Sequence, residues 1–307
     1  MIRPISLVRR FCSCAAAVAC AAALLAACSK SATSHGKPWE QFSGQNALRH
    51  VQQLVDLGPR PPGSEALEKA RVYLTKQLEL SGWQVTRQSF ADETPRGKVE
   101  FVNLIARHPS HDARVVPVFL LCSHYDTKVF DSIQFVGAND GGSSTGALLE
   151  MARVLNNFPE LAAKIELVFF DGEEAYENFS DKDGLYGSRY FAKHFSPDRF
   201  TGGVLLDMVG DRSLTITLSP DSPMQMTADI FASAEALKLR DHFTYFHSSI
   251  MDDHTPLNEA GISTIDLIDF DFPAWHTADD TMDKISAESL QTVGAVTLYY
   301  LSEFALR

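Results

Sequence analysis

The sequence predicts an α/β fold, a three-layer sandwich with a central mixed, mostly parallel sheet and helices on both faces. Three observations lead there. Short apolar runs alternate with segments of helical period from Trp39 to the end of the chain. Residues 115–122, 167–170, 203–206 and 262–268 are apolar almost throughout, which is the pattern of strands covered on both faces. These runs lead into His124 and Asp126, Glu173 and Glu174, Asp207 and His276, and ligands bind beyond the carboxyl ends of strands in open sheets.

Taken in order, the elements are consistent with that layout. Trp39 to Leu57 has helical spacing through Leu48, Val51, Leu54 and Val55, and stops at the Pro- and Gly-rich turn 58–63. Ser64 caps a second helix with Leu67, Ala70, Leu74 and Leu78 on one face and Gly82 as its stop. Residues 83–90 alternate as an edge strand, 99–106 form another strand, and a polar turn leads into the central strand 115–122. A helix over 145–157 turns Ala147, Leu148, Met151, Ala152 and Leu155 inward. A long loop, 176–184, separates the acidic stretch from a helix beginning at Tyr186. Two strands flank Gly210-Asp211; a helix over 224–238, a strand over 242–246 and a short helix opened by Asp252-Asp253-His254 follow. The loop 269–281 is dense in acids and aromatics, and a helix over 288–306 closes the chain.

The N-terminus has its own character. Arg3, Arg9 and Arg10 precede the uncharged Ala- and Leu-rich residues 11–27, the pattern of an export signal. It ends in Leu25-Ala-Ala-Cys28, which resembles a bacterial lipoprotein signal with Cys28 as the lipidated residue. The expected organisation is a signal peptide over 1–27, a polar linker over 28–38 and one catalytic domain over 39–307. Cys12, Cys14 and Cys20 lie in the segment to be removed, so Cys122 is left without a disulfide partner. Loss of residues 1–27 leaves 24 basic against 39 acidic side chains, a net −15. That charge, with no basic stripe, argues against nucleic-acid binding.

The chemistry centres on Leu167-Val-Phe-Phe-Asp-Gly-Glu-Glu-Ala175. Adjacent carboxylates at the mouth of a buried strand are costly without a cation beside them. A solvated acidic loop is the bland alternative, and it loses ground because His124, Asp140, Asp207 and His276 converge on the same edge. Imidazoles with carboxylates suit Zn²⁺ that keeps an open position. Trp275, beside His276 in a loop, reads as a pocket wall. His124 reads as a histidine bonded to a carboxylate ahead of a ligand, and His254 as a partner at a helix start.

Six motifs in order carry a resemblance: Gly137-Ala-Asn-Asp140, Phe169-Phe-Asp-Gly-Glu-Glu174, Leu185-Tyr-Gly-Ser188, Leu205-Leu-Asp207, Asp252-Asp-His254 and Trp275-His-Thr277. Over roughly residues 45–305 the chain resembles the zinc-dependent glutaminyl-peptide cyclotransferases, which share their fold with the zinc aminopeptidases of the M28 clan. The resemblance implies that Asp140, Glu174 and His276 hold zinc, one ion per chain with a second possible. It implies that Glu173 is the general acid/base, that Asp207 and Asp252 form a hydrogen-bonded acidic network beside it, and that Trp275 and Phe179 line the substrate pocket. The animal enzymes usually have Trp at the second of these positions. They also pair the cysteine before Ser-His-Tyr-Asp, and here Cys122 has no partner.

The expected reaction is closure of an N-terminal glutamine to pyroglutamate with loss of ammonia. Zinc polarises the side-chain amide carbonyl and Glu173 moves the proton from the α-amine to the leaving group. Partners implied are peptides with N-terminal Gln and a membrane reached through lipid on Cys28, in the bacterial cell envelope; a monomer is expected. The rival is a two-zinc aminopeptidase, for which His124, Asp140, Glu174, Asp207 and His276 fill every ligand position. A closed structural zinc site is disfavoured by the spare Glu173.

Overall fold

The computed structural model describes Met1, residues 36–111 and residues 117–307. The expected signal segment, linker start and lipidated Cys28 lie outside the described residues. Gly36–Arg307 forms one compact unit. Among the described residues, no helix is long and apolar enough to cross a membrane.

Eight strands make one mixed sheet: β1 (Gln84–Thr94), β2 (Gly97–Arg107), β3 (Val118–His124), β4 (Ile165–Phe170), β5 (Phe200–Asp207), β6 (Ile216–Leu218), β7 (Phe243–Tyr245) and β8 (Thr264–Ile268). Their spatial order is β1-β2-β4-β3-β5-β8-β6-β7. The central four, β4, β3, β5 and β8, run parallel. Antiparallel pairings join β1 to β2, β2 to β4 and β6 to β8. These four strands therefore deliver their C-terminal ends to one edge. There His124, the turn after Phe170, and Asp207 lie next to one another.

The alternation of side chains along these strands divides the core. Phe119, Leu121, Leu167, Phe169, Val204 and Leu206 face one layer of helices. Its members are α1 (Gly44–Val55), α2 (Glu65–Leu80), α3 (Gly142–Leu155), α5 (Met224–Ala236) and α7 (Ala287–Tyr300). Val118, Leu120, Cys122, Val168 and Phe170 face the thinner layer of α4 (Tyr186–His194) and α6 (His254–Glu259). Strands covered on both sides can be apolar at every position, which is why these runs lack alternation. Cys122 sits fully inside, a free thiol that burial pushes up.

Boundaries differ from the sequence reading where local hydrogen bonds intervene. The helix expected from Trp39 to Leu57 is a short turn, Pro38–Gln41, followed by α1 after an extended Phe42. Ser43 caps α1 through the Asn46 N–H, and the stripe turned inward is Ala47, Val51 and Leu54, with Leu48 and Val55 half-buried. Ser64 caps α2 as expected, accepting the Leu67 N–H. The helix expected from 145 starts at Gly142, because Gly141 at φ 72° turns the chain straight into it. α3 is buried along almost its whole length, and a Cβ on Gly146 would come within 2.6 Å of Val51 on α1. That contact needs glycine. Trp83 falls just before β1, and its indole donates to Ala152 O at 2.9 Å. The final helix ends at Tyr300 and runs on through a wider π turn, Leu301–Ala305.

Candidate active site

The residues that the resemblance assigns to the site all line one cavity of about 190 Å³ at the carboxyl edge of the sheet. Asp140, Glu173, Glu174, Asp207, Asp252, His276, Trp275 and Phe179 all contribute, with Met208, Ile250, Met251 and Phe270 as apolar neighbours. The carboxylates are buried, while Trp275 is 40% exposed at the mouth.

The site is built from strand ends and turns. β3 ends in His124, whose Nε2 lies 3.1 Å from Asp207 Oδ1 and 3.2 Å from Asp140 Oδ1. Asp126 sits 3.5 Å from the other ring nitrogen. Asp126 also accepts the Glu173 N–H at 3.2 Å and the Glu174 N–H at 3.4 Å, which fixes the acidic turn after β4 against the end of β3. Asp171 anchors that turn from below, pairing with Arg71 at 2.6 Å and accepting the Val102 N–H at 2.6 Å. Asp140 leads into α3. His276, held at φ 55°, points its Nε2 to 3.3 Å from Asp140 Oδ2 and 3.1 Å from Glu174 Oε2.

Two groups of donors result, Asp140 with Glu174 and His276, and Asp140 with His124 and Asp207. They share Asp140, one oxygen toward each histidine. In the first group Asp140 Oδ2 and Glu174 Oε2 are buried and make no hydrogen bond, although both approach His276 Nε2. Buried carboxylate oxygens without a hydrogen bond, converging on an imidazole nitrogen, fit a divalent zinc ion, which takes mixed N and O donors. A third donor group joins Asp252, which lines the cavity, to His254 and Asp266. His254 opens α6 with Nδ1 3.6 Å from Asp266.

Electrostatics separate the carboxylates by role. Burial pushes the Glu173 carboxyl well up; the charges of Asp252, Glu174 and Asp253 reinforce it against the counter-effect of His124. Burial and Asp140 raise Glu174. Burial would raise Asp140 too, but the neighbouring imidazoles of His124 and His276 outweigh it and hold the carboxyl low. Burial would lower His276, but Asp140 and Glu174 bring it up to about 9. The two carboxylates therefore favour positive charge on the imidazole between them.

Asp207 and Asp252 are not seen in a direct hydrogen-bonded network with Glu173 among the described residues. Asp207 Oδ1 engages His124 and the Met208 N–H, Asp252 Oδ1 accepts the Asp253 N–H, and Asp252 Oδ2 is unpaired. The charge of Asp252 reaches Glu173 through space. His124 is bonded to a carboxylate, as expected, and also belongs to a donor group. Lys128 escaped the sequence reading: its ammonium lies 3.6 Å from Glu174 and 5.8 Å over the Phe179 ring. Asp126 was visible in the motif, but its grip on two distant amides was not.

The aromatic wall is continuous. Trp275 stacks on His276 with ring centres 4.2 Å apart, and Phe270 packs on Trp275 at 5.3 Å. Phe130 and Phe135 meet the His276 ring edge-on at 5.9 and 5.8 Å. Such walls fix the imidazole and keep water out.

Residues 103–301 match Peptidase family M28. A Drosophila melanogaster glutaminyl-peptide cyclotransferase is 29% identical, covering 87% of this chain and 83% of its own. A Bos taurus glutaminyl-peptide cyclotransferase-like protein is 30% identical over 80% of this chain and 72% of its own. Among solved structures, the glutaminyl cyclase of an Acidobacteriales bacterium superposes with a TM-score of 0.77 at 32% identity, covering 86% of this chain and 95% of that one. The Porphyromonas gingivalis glutaminyl cyclase gives 0.79 at 30% identity, covering 86% and 99%. A Bacteroides thetaiotaomicron structure described as a leucine aminopeptidase precursor gives 0.78 at 28%, covering 86% and 98%.

Proposed function

The chain belongs to Peptidase family M28, among the glutaminyl-peptide cyclotransferases, and from that premise we propose that it converts N-terminal glutamine of peptides to pyroglutamate with release of ammonia. One observation carries the reading. Glu173 lies in the cavity beside the donor group of Asp140, Glu174 and His276 without belonging to it. Burial raises its carboxyl, which suits a group that must take up and give back a proton.

In this reading Asp140, Glu174 and His276 hold one zinc ion, which when bound acts as a Lewis acid on the side-chain amide of the substrate. Glu173 takes the proton of the attacking α-amine and returns it to the departing nitrogen. The new bond joins the α-nitrogen to the amide carbon, and the bond to the amide nitrogen breaks. Asp252 sustains the raised proton affinity of Glu173 by its charge, and Asp207 holds His124. Trp275 and Phe179 enclose the glutaminyl side chain so that amine and amide stay in contact and bulk water stays out.

A second reading has one observation in its favour. His124 and Asp207 complete a second donor group on Asp140, as a two-zinc aminopeptidase requires. The test is direct. Purified protein is incubated with Gln-peptides and Leu-peptides. The cyclase reading expects Gln-peptides lighter by one ammonia and Leu-peptides untouched; free leucine from Leu-peptides would replace it with the peptidase reading.

Residues 1–28 support export and a lipid anchor on Cys28, facing the bacterial envelope, in the charged start, apolar run and Leu25-Ala-Ala-Cys28. Mass spectrometry of the membrane fraction should find the chain starting at acylated Cys28; an unmodified soluble product would end this proposal.

A further inference from the structure

Asp280 is a buried carboxylate outside the reacting cavity, four residues after His276. One of its oxygens accepts the Asn139 N–H at 2.7 Å and the other accepts the Asp140 N–H at 3.0 Å. Its own carbonyl accepts the Ala138 N–H at 3.3 Å. The loop that carries His276 thus grips the turn that carries Asp140 through three hydrogen bonds.

The other side of the same turn is held by Arg60. This guanidinium is fully buried and donates to Val136 O at 2.8 Å, Gly137 O at 3.2 Å and Tyr125 O at 3.3 Å. Amides of the turn go to Asp280 and carbonyls to Arg60. Both ligand-bearing segments need this support, because Gly137 at φ 53°, Gly141 at φ 72° and His276 at φ 55° all stand in the left-handed region. Such conformations persist only where surrounding contacts over-determine them, and a non-glycine residue there is strained.

We propose that Asp280 is a positioning residue that locks the Asp140 turn to the His276 loop, so that two of the metal-holding side chains move as one unit. It acts through Asp140 and touches neither metal nor substrate. The role asks for a carboxylate. Two successive N–H groups need two acceptor oxygens, and an amide offers one acceptor and one donor that faces an N–H. Partners that orient metal ligands typically matter tenfold to a hundredfold for metal affinity.

The inference rests on the zinc reading above, and the experiment separates the two. Zinc affinity is measured by competition with a chromogenic chelator for the full chain and for D280N, D280A and the exposed neighbour D279N. Melting of the zinc-stripped proteins reports the fold, and kcat and KM are read at saturating zinc. D280N should weaken zinc binding by about tenfold to a hundredfold, with stripped-protein melting near wild type, and with kcat and KM largely restored by excess zinc. D279N should match wild type. If D280A does not fold, D280N carries the test. A folded D280N with wild-type zinc affinity overturns the proposal, as does a variant whose whole defect is a lower melting point of the stripped protein. A wild-type chain that takes up no zinc overturns the metal reading and this proposal together.

Discussion

His124 Nε2 stands between two carboxylates, 3.1 Å from Asp207 and 3.2 Å from Asp140, with Asp126 at its other nitrogen. Burial alone would lower this imidazole, but the charge of Asp207 and the bonds to Asp126 and Asp140 raise it well above its usual value. A proton and a second metal ion would compete for this histidine.

Metal content follows from this relationship. The expected result is close to one zinc per chain by elemental analysis. His276→Ala should lose that ion, and His124→Ala should keep it. Two tightly held ions in the wild type, with one lost in His124→Ala, would favour the two-metal peptidase chemistry.

Glu173→Gln removes the proton carrier and leaves the metal-holding group whole. Zinc content should match wild type while kcat falls by about 10²- to 10⁴-fold. KM should change little, because the amide keeps the shape of the cavity wall. Loss of zinc in this variant would place Glu173 among the ligands.

Stability should fall in mild acid through His254. Burial lowers this imidazole from 6.5 to about 4. In the unfolded chain it takes up a proton as pH drops below 6.5, while the folded chain refuses one until about 4. The unfolded state therefore binds more protons between these values, and stability is lost as pH falls through that window. From pH 7 to pH 5 the contribution lost is about 2 kcal/mol. Urea midpoints at both pH values should show a smaller drop for His254→Gln than for wild type. Equal drops would place the acid sensitivity elsewhere.

Gly44→Ala should destabilise the fold. A Cβ there would lie 1.9 Å from Ala287 O and 2.8 Å from the Gln291 N, both on α7. The Gly44 N–H also donates to Gln291 Oε1 at 2.8 Å, so the helices cannot part without losing that bond. Overpacking of this kind costs about 1–3 kcal/mol. Thermal melting of the variant should show it, and an unchanged midpoint would mean that α1 and α7 can separate freely.

The sheet was legible in the sequence because double burial writes itself as unbroken apolar runs. Helix starts were legible where a side chain makes the cap, as at Ser64, and less so where a glycine does, as at Gly141. The candidate site residues were legible because few residue types suit such chemistry at strand ends. Residues that act on backbone groups were not. Asp126 and Asp280 bind amides 47 and 140 or more positions away, and neither partner carries a side-chain signature. Arg60 read as part of a turn, although its charge is spent entirely on carbonyls brought in by the fold.

The stacking of Trp275 on His276 gives the molecule its own optical gauge. The sequence has three tryptophans, and Trp39 and Trp83 are buried away from the cavity while Trp275 is 40% exposed. Its emission should be the red-shifted component, and it sits 4.2 Å from the ring of His276, the proposed zinc ligand. Zinc titration followed by fluorescence should change the signal of wild type and leave that of Trp275→Phe flat. Occupancy of the cavity can then be read in real time without a label, and a Trp275→Phe variant that still responds would trace the signal to another indole.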